Sequence, residues 1–308
     1  MSESSRVQVL VMLFFVMAVQ LLALAVTPAI SAGESRVFQD PASASNPVFY
    51  MLLILAFTAL LLLAMRLKKG WIVGGFIQLS IAASIYYLLA AFMSPPLALL
   101  PTAGVLLLLH YYPEWYVIDA FGIVVCAGIS SLFGISMTVL PTILLLLILA
   151  VYDAISVYKT RHMVSLAEGV IKMKAPLLFV VPKSRSYSFR KDQFSSSGAE
   201  ESRAGESQAE GSRASGSQSG GKRGAYFLGL GDAIIPTILV ISANTSLPAG
   251  GFFGVNFPAI GAMLGTYLGF LLLMTTSRDK PQAGLPFLNT GVILGFLAGC
   301  ALAGIRPF

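Results

Sequence analysis

The chain's sequence predicts an all-α integral membrane protein of about nine transmembrane helices. Three observations predict it. Only 11% of the 308 residues are charged and 56% are hydrophobic, whereas a soluble domain carries about 25% charged residues. The apolar residues gather in runs close to the ~20 that cross a bilayer as a helix. The basic residues fall between those runs, so the net charge of +6 does not form an aromatic-studded basic face for nucleic acid.

The runs lie at 7–30, 47–65, 71–92, 97–112, 115–135, 137–159, 225–243, 257–275 and 286–304. The first follows Arg6 and ends near Ser31, Ala32 and Gly33, as a secretory signal would. A signal's apolar core is only about 7–15 residues, and Val7–Ile30 is longer, so it is read as a retained span. The fourth, Leu97–Tyr112, is short and contains Pro101, which predicts a tilted or incomplete span. Cys126 and Cys300 lie inside apolar runs, far apart, and read as small buried hydrophobes.

Three parts follow: a six-helix half at 1–159, a cytoplasmic loop at 160–223 and a three-helix half at 224–308. With the N-terminus cytoplasmic, 18 of the 20 basic residues face the cytoplasm, leaving only Arg36 and Arg306 outside. Basic residues favour the cytoplasmic side. The C-terminus is then outside. Within the loop, Ser195–Gly221 is rich in Ser, Gly, Ala and Glu. It buries too little apolar surface to offset ordering entropy and reads as a flexible tether. Ala175–Pro182 is apolar but too short to span. It reads as a strand or interfacial segment, or as an extended element beside an active site.

The chemistry lies in the acids. Of 14 acidic residues, only Asp119, Asp153 and Asp232 fall within spans, and apart from Lys159 at the very end of the sixth no basic residue lies within a span to pair with them. A lone intramembrane charge costs at least ~2.5 kcal/mol, so these carboxyls must be protonated, share a proton or meet water. Asp153 precedes Lys159 by six residues, and Asp232 follows Ala225 by seven. At the helical rise both lie roughly 9–11 Å from the cytoplasmic ends of consecutive antiparallel helices, so they can meet at one level. Asp119 lies near the same level and is a rival member of the pair.

Two close carboxylates cannot both ionise readily, so one retains a proton. The ionised one can activate water while the other hydrogen-bonds a carbonyl oxygen that is becoming tetrahedral. Other hydrolytic chemistries lack their residues. There is no H-E-x-x-H for zinc and no G-x-S-x-G for a serine nucleophile. His110 ends the fourth span beside Tyr111 and Tyr112 and reads as interfacial, and His162 lies outside the membrane.

Tyr152-Asp153 in one span and Gly229-Leu230-Gly231-Asp232 in the next resemble the motifs of the presenilin and signal peptide peptidase aspartyl proteases of the GxGD type. The resemblance extends over the whole chain in span number and order. It implies a presenilin-like fold, Asp153 and Asp232 as the catalytic pair, and no cofactor or metal. That family opens its ninth span with Pro-Ala-Leu. The stretch here is Leu285-Pro286-Phe287-Leu288, with phenylalanine in the place of alanine. The resemblance makes Tyr152, Gly229, Leu230, Gly231, Leu285, Pro286, Phe287 and Leu288 the surroundings of the substrate. The charge-derived orientation is similar to the presenilin branch, and the compact length to its microbial homologues.

The expected function is hydrolysis of peptide bonds in transmembrane helices, in the cell membrane. The expected partners are transmembrane helical peptides and the lipid bilayer, with no nucleic acid. Self-association is compatible with the chain. A proton-coupled transporter or channel would also use intramembrane aspartates. A membrane scaffold would use them only as hydrogen-bond partners.

Overall fold

The computed structural model describes residues 3–32, 37–38, 40–66, 70–112, 114–157, 178–182, 225–247, 250–276 and 284–307. Ser195–Gly221, His162 and the side chain of His110 lie outside the described residues. Nine helices are present among the described residues. They are α1 (Glu3–Ala32), α2 (Asn46–Arg66), α3 (Gly70–Ala90), α4 (Pro95–Tyr111), α5 (Trp115–Ser136), α6 (Val139–Ile155), α7 (Leu230–Ser246), α8 (Phe257–Thr276) and α9 (Gly284–Ala303). By length and composition, α1, α5, α8 and α9 are clearly able to cross a membrane. The 17 residues of α4, α6 and α7 reach about 25 Å at the helical rise. Leu52, Leu60, Leu100, Leu107, Leu268 and Leu294 are exposed on these helices, as lipid-facing side chains are in a solvent as apolar as they are.

The fourth helix runs unbroken through Pro101. Pro95 and Pro96 open it, where a missing N–H costs no internal hydrogen bond.

The seventh expected span divides. Its first five residues form a strand, β2 (Ala225–Gly229), and the helix begins only at Leu230. β2 pairs antiparallel with β1 (Leu178–Pro182), with Leu178 opposite Gly229 and Val180 opposite Phe227. The run Leu-Phe-Val-Val supplies β-branched and aromatic residues that suit a strand. The apolar stretch at 175–182 is therefore extended over 178–182, and it sits beside α5 and α1. A second hairpin, β3 (Gly251–Phe252) and β4 (Val255–Asn256), joins α7 to α8. Phe253 and Gly254 turn it with φ of 53° and 78°, the left-handed pair that a two-residue hairpin turn requires.

Helix α5 is central, packing on α1, α3, α7 and β1. Polar side chains join it to its neighbours. Ser131 Oγ donates to Ala23 O of α1 at 2.8 Å, and Thr27 Oγ1 donates to Ser131 Oγ at 3.1 Å. Ser130 Oγ donates to Ile234 O of α7 at 3.3 Å.

Helices α8 and α9 make the most intimate pair. Gly261, Gly265 and Gly269 face Gly291, Gly295 and Gly299 at four-residue spacing. A Cβ at Gly265 would lie 2.9 Å from Gly295 Cα, and one at Gly269 would lie 2.7 Å from Phe287 O. The backbones touch because no side chain intervenes, the geometry of small residues spaced by three in membrane helices. Gly265→Val should separate α8 from α9 and cost about 1–3 kcal/mol or more. Leu268→Val on the lipid-facing side should cost less than about 1.5 kcal/mol. Unfolding in detergent by thermal scan or steric trapping measures both.

Candidate active site

Two acidic side chains converge on the start of α9. Asp153 lies in the last turn of α6, and its Oδ2 accepts the Leu285 N–H at 3.2 Å. Asp232 lies in the first turn of α7. A Cβ built on Gly284 would stand 3.4 Å from Asp232 Oδ1 and 3.5 Å from its Oδ2. The two carboxyls thus lie against adjacent residues, Leu285 and Gly284, of one helical turn. Asp153 is buried and Asp232 half-buried.

Local chemistry explains the placement. The first N–H groups of a helix have no partner within it, and the peptide dipoles leave that end positive. Asp153 satisfies one such group at α9. Pro286, in the same turn, has no N–H to satisfy. Asp232 occupies the equivalent electropositive end of α7. No basic side chain lies in α6, α7 or α9, so helix ends do the work a cation would otherwise do.

The glycines of the Gly229–Asp232 stretch have different roles. Gly229 holds the extended position before α7, with φ −64° and ψ 136°. A Cβ there would lie 3.4 Å from Asp232 Oδ2, so the carboxyl folds back over it. Gly231 is exposed, and a Cβ there would meet nothing within 4 Å. Nothing in the packing requires glycine at 231. Leu230 lies against Gly122 of α5, and its carbonyl faces the Cys126 thiol at 3.8 Å.

Leu285 is buried with Leu145, Leu149 and Ile238. Leu288 is buried with Phe179, Val181 and Leu228, which joins α9 to both strands. Pro286 and Phe287 are half-buried. Tyr152 is half-buried and lies roughly 100° round the helix from Asp153.

Three findings depart from the expectation. The strand at 225–229 places Asp232 in the first helical turn, not seven residues inside a span. Asp119 is engaged elsewhere, its Oδ1 accepting the Val180 N–H of β1 at 2.8 Å. Gly284 and Asn289 belong to the neighbourhood although neither was singled out. Asn289 Nδ2 donates to Leu146 O at 2.8 Å and fixes α9 to α6 one helical turn beyond Leu285. An amide within an otherwise apolar span was the available signal for Asn289.

The fold and site define a multi-pass membrane protein whose two acidic side chains meet at helix ends. The family described as signal-peptide peptidase, presenilin aspartyl protease matches residues 11–305, and the chain belongs to it. Two solved structures are similar, each described as a presenilin family intramembrane aspartate protease. The one in space group C222 is 31% identical with TM-score 0.64, covering 96% of this chain and 98% of its own. The one in space group P2 is 33% identical with TM-score 0.63, covering 95% and 97%. No curated protein matches. Family and structures together indicate an intramembrane aspartate protease.

Gly229→Val and Gly284→Val would each press a branched side chain on the Asp232 carboxyl. Each should weaken binding of a peptide mimic carrying a tetrahedral diol by about ten-fold or more, the size of an overpacking penalty. Gly231→Ala, whose side chain would touch nothing in the protein, should stabilise the helix slightly and leave the Asp232 carboxyl in place, so a loss of mimic binding there reports a bound backbone lying over Gly231. Titration of a fluorescent mimic separates the three.

Proposed function

We propose that this chain hydrolyses peptide bonds of transmembrane helices through Asp153 and Asp232, as a GxGD-type aspartyl protease. The observation that carries this reading is the convergence of both carboxyls on Gly284 and Leu285 at the start of α9. A carboxyl pair sharing one proton supplies a base and an acid together. The ionised partner takes a proton from water as the water oxygen bonds to the amide carbon. The protonated partner hydrogen-bonds the carbonyl oxygen as the carbon becomes tetrahedral. A proton then reaches the nitrogen, the C–N bond breaks, and a carboxylic acid and an amine leave. The two residues act as one titrating unit, so neither is assigned a fixed role.

The surroundings support this use. The open space over Gly231 lies beside Asp232, where a substrate backbone must come. A helix hides its amide bonds, and a peptide unwound in lipid needs new partners for its backbone. β2 ends three residues before Asp232. Among the described residues it is paired on one side only. Its outer edge can therefore take an extended peptide as a further strand. Leu230, Leu285, Pro286, Phe287 and Leu288, with Tyr152, form the apolar walls of this reading. The distribution of basic residues supports a cytoplasmic N-terminus, an outside C-terminus and entry of water from the cytoplasmic side. The apolar runs support the division at 1–159, 160–223 and 224–308, and residence in the cell membrane is part of the same proposal.

Asp153→Asn and Asp232→Asn should each lower cleavage of a reporter helix by at least about 10²-fold, the scale of lost acid–base catalysis. Melting temperature should stay near wild type. Mass spectrometry of products in proteoliposomes gives the rate. Full activity in either folded variant would remove the pair from the mechanism. Proton-coupled uptake without cleavage in the same vesicles would instead favour a transporter.

A further inference from the structure

Asp119 lies outside the proposed pair, yet it is a carboxyl only 3% exposed inside the bundle. Among the described residues its Oδ1 accepts a backbone amide of β1, the Val180 N–H, at 2.8 Å. Its Oδ2 is buried with no hydrogen-bond partner among the described residues.

The bond says which way β1 faces. Antiparallel strands alternate pairs that exchange hydrogen bonds with pairs that do not. Val180 sends its N–H to α5, so the Val180–Phe227 pair is a non-exchanging one. The neighbours Phe179–Leu228 and Val181–Tyr226 are the exchanging pairs. The outer edge of β1 is thus covered at its centre by Asp119, and the outward backbone groups of Phe227 belong to the other edge of the sheet.

Register is the difficulty this solves. A slip of one residue exchanges the two faces of a strand, and polar–apolar alternation normally forbids it. β1 has no alternation. Phe179, Val180 and Val181 are all buried, so both of its faces are apolar and covered. A slip would replace apolar with apolar on each face. Two features of α5, three residues apart on one helix face, hold β1 where it lies: a side-chain fit that selects the register, and a backbone bond that anchors the strand so placed. Gly122 makes room for the Phe179 ring, which would stand 3.0 Å from a Cβ there. Asp119 accepts the next amide along the strand.

We propose that Asp119 is a positioning residue that anchors β1 against α5, in the register that the fit of Phe179 on Gly122 selects. Through β1 it holds β2 straight beside Asp232, and so fixes which bond of the substrate is cut. This rests on the proteolytic reading above. Without the acceptor, a buried amide is left unsatisfied, and β1 slips or loosens. β2 then loses its fixed partner, and a peptide laid along it is no longer held in one place.

The test uses the full chain in proteoliposomes with three variants and two measurements. Asp119→Leu removes the acceptor, and Asp119→Asn keeps it. Val180→Pro removes the donor at an outward position that an edge strand tolerates. Hydrogen exchange over 178–182 reads the lock without reference to cleavage. Protection should fall about ten-fold or more in Asp119→Leu, matching the loss of one buried hydrogen bond, and should persist in Asp119→Asn.

Mass spectrometry of the products reads the consequence. Asp119→Leu and Val180→Pro should spread cleavage to neighbouring bonds and raise KM about ten-fold, and Asp119→Asn should cut at the wild-type bond. A merely structural role would lower yield without moving the cut. If Asp119→Leu no longer binds the diol mimic, Val180→Pro decides. Wild-type protection together with wild-type cut positions in Val180→Pro overturns the proposal. So does a folded Asp119→Asn that has lost cleavage, since Asp119 would then belong to the reacting groups. A wild-type chain that cleaves nothing overturns the substrate-register part and the proteolytic reading together, while the exchange data still decide whether Asp119 holds β1.

Discussion

Under the proposed function the arrangement depends on one constraint: two carboxyls must be held close together in an apolar surrounding where the described residues of α6, α7 and α9 offer no cation. Helix ends meet that constraint. The amide of Leu285 gives Asp153 a donor, and the start of α9 brings Gly284 against Asp232. Donors at a helix start are free because no earlier carbonyl exists to bind them. The same atoms that a helix leaves unsatisfied are those an acidic pair needs. A lysine in their place would neutralise one carboxyl permanently. Helix dipoles stabilise negative charge without fixing where the proton sits, which a shared-proton pair requires.

That solution transfers the demand for precision to α9. A hydrogen bond at 3.2 Å is lost with a small displacement of the helix. Two features hold α9 in place. Asn289 ties it to α6 through the Leu146 carbonyl. The glycine rows seat it against α8 with backbone touching backbone. Bulk water cannot drive helices together inside a bilayer, so close packing must do so. Phe287 fits this scheme. Its carbonyl abuts Gly269, where any side chain would collide with it.

Much of this was legible in the sequence, and what was hidden was hidden for physical reasons. Spans are visible because a bilayer requires long apolar runs. The Asp153–Asp232 pair stood out because no basic residue accompanied it. The strand at 225–229 was invisible to that logic, since Ala-Tyr-Phe-Leu-Gly continues the apolar run of α7. Hydropathy does not distinguish a strand from a helix when both are buried. Its partner at 178–182 lies more than forty residues earlier in the chain, and long-range pairing leaves no local mark. The glycine rows at 261, 265, 269 and 291, 295, 299 were readable as a four-residue spacing. Asp119 was read by depth alone, which places it near the pair but cannot show that β1 takes its oxygen.

The sheet and the carboxyl pair then form one device under the proposed function. A transmembrane substrate arrives as a helix because lipid offers its backbone no other partner. Unwinding it in lipid alone would expose several peptide groups at a cost of several kcal/mol each. A strand edge at the same level removes much of that cost, since alternate residues of the freed peptide find a carbonyl and an N–H on the outer edge of β2. The edge must adjoin the reacting groups, or the peptide would refold before it met them. β2 leads directly into Gly229 and, three residues on, Asp232. The departure from a continuous seventh helix is therefore the feature that, on this reading, gives Asp153 and Asp232 an extended peptide to act on.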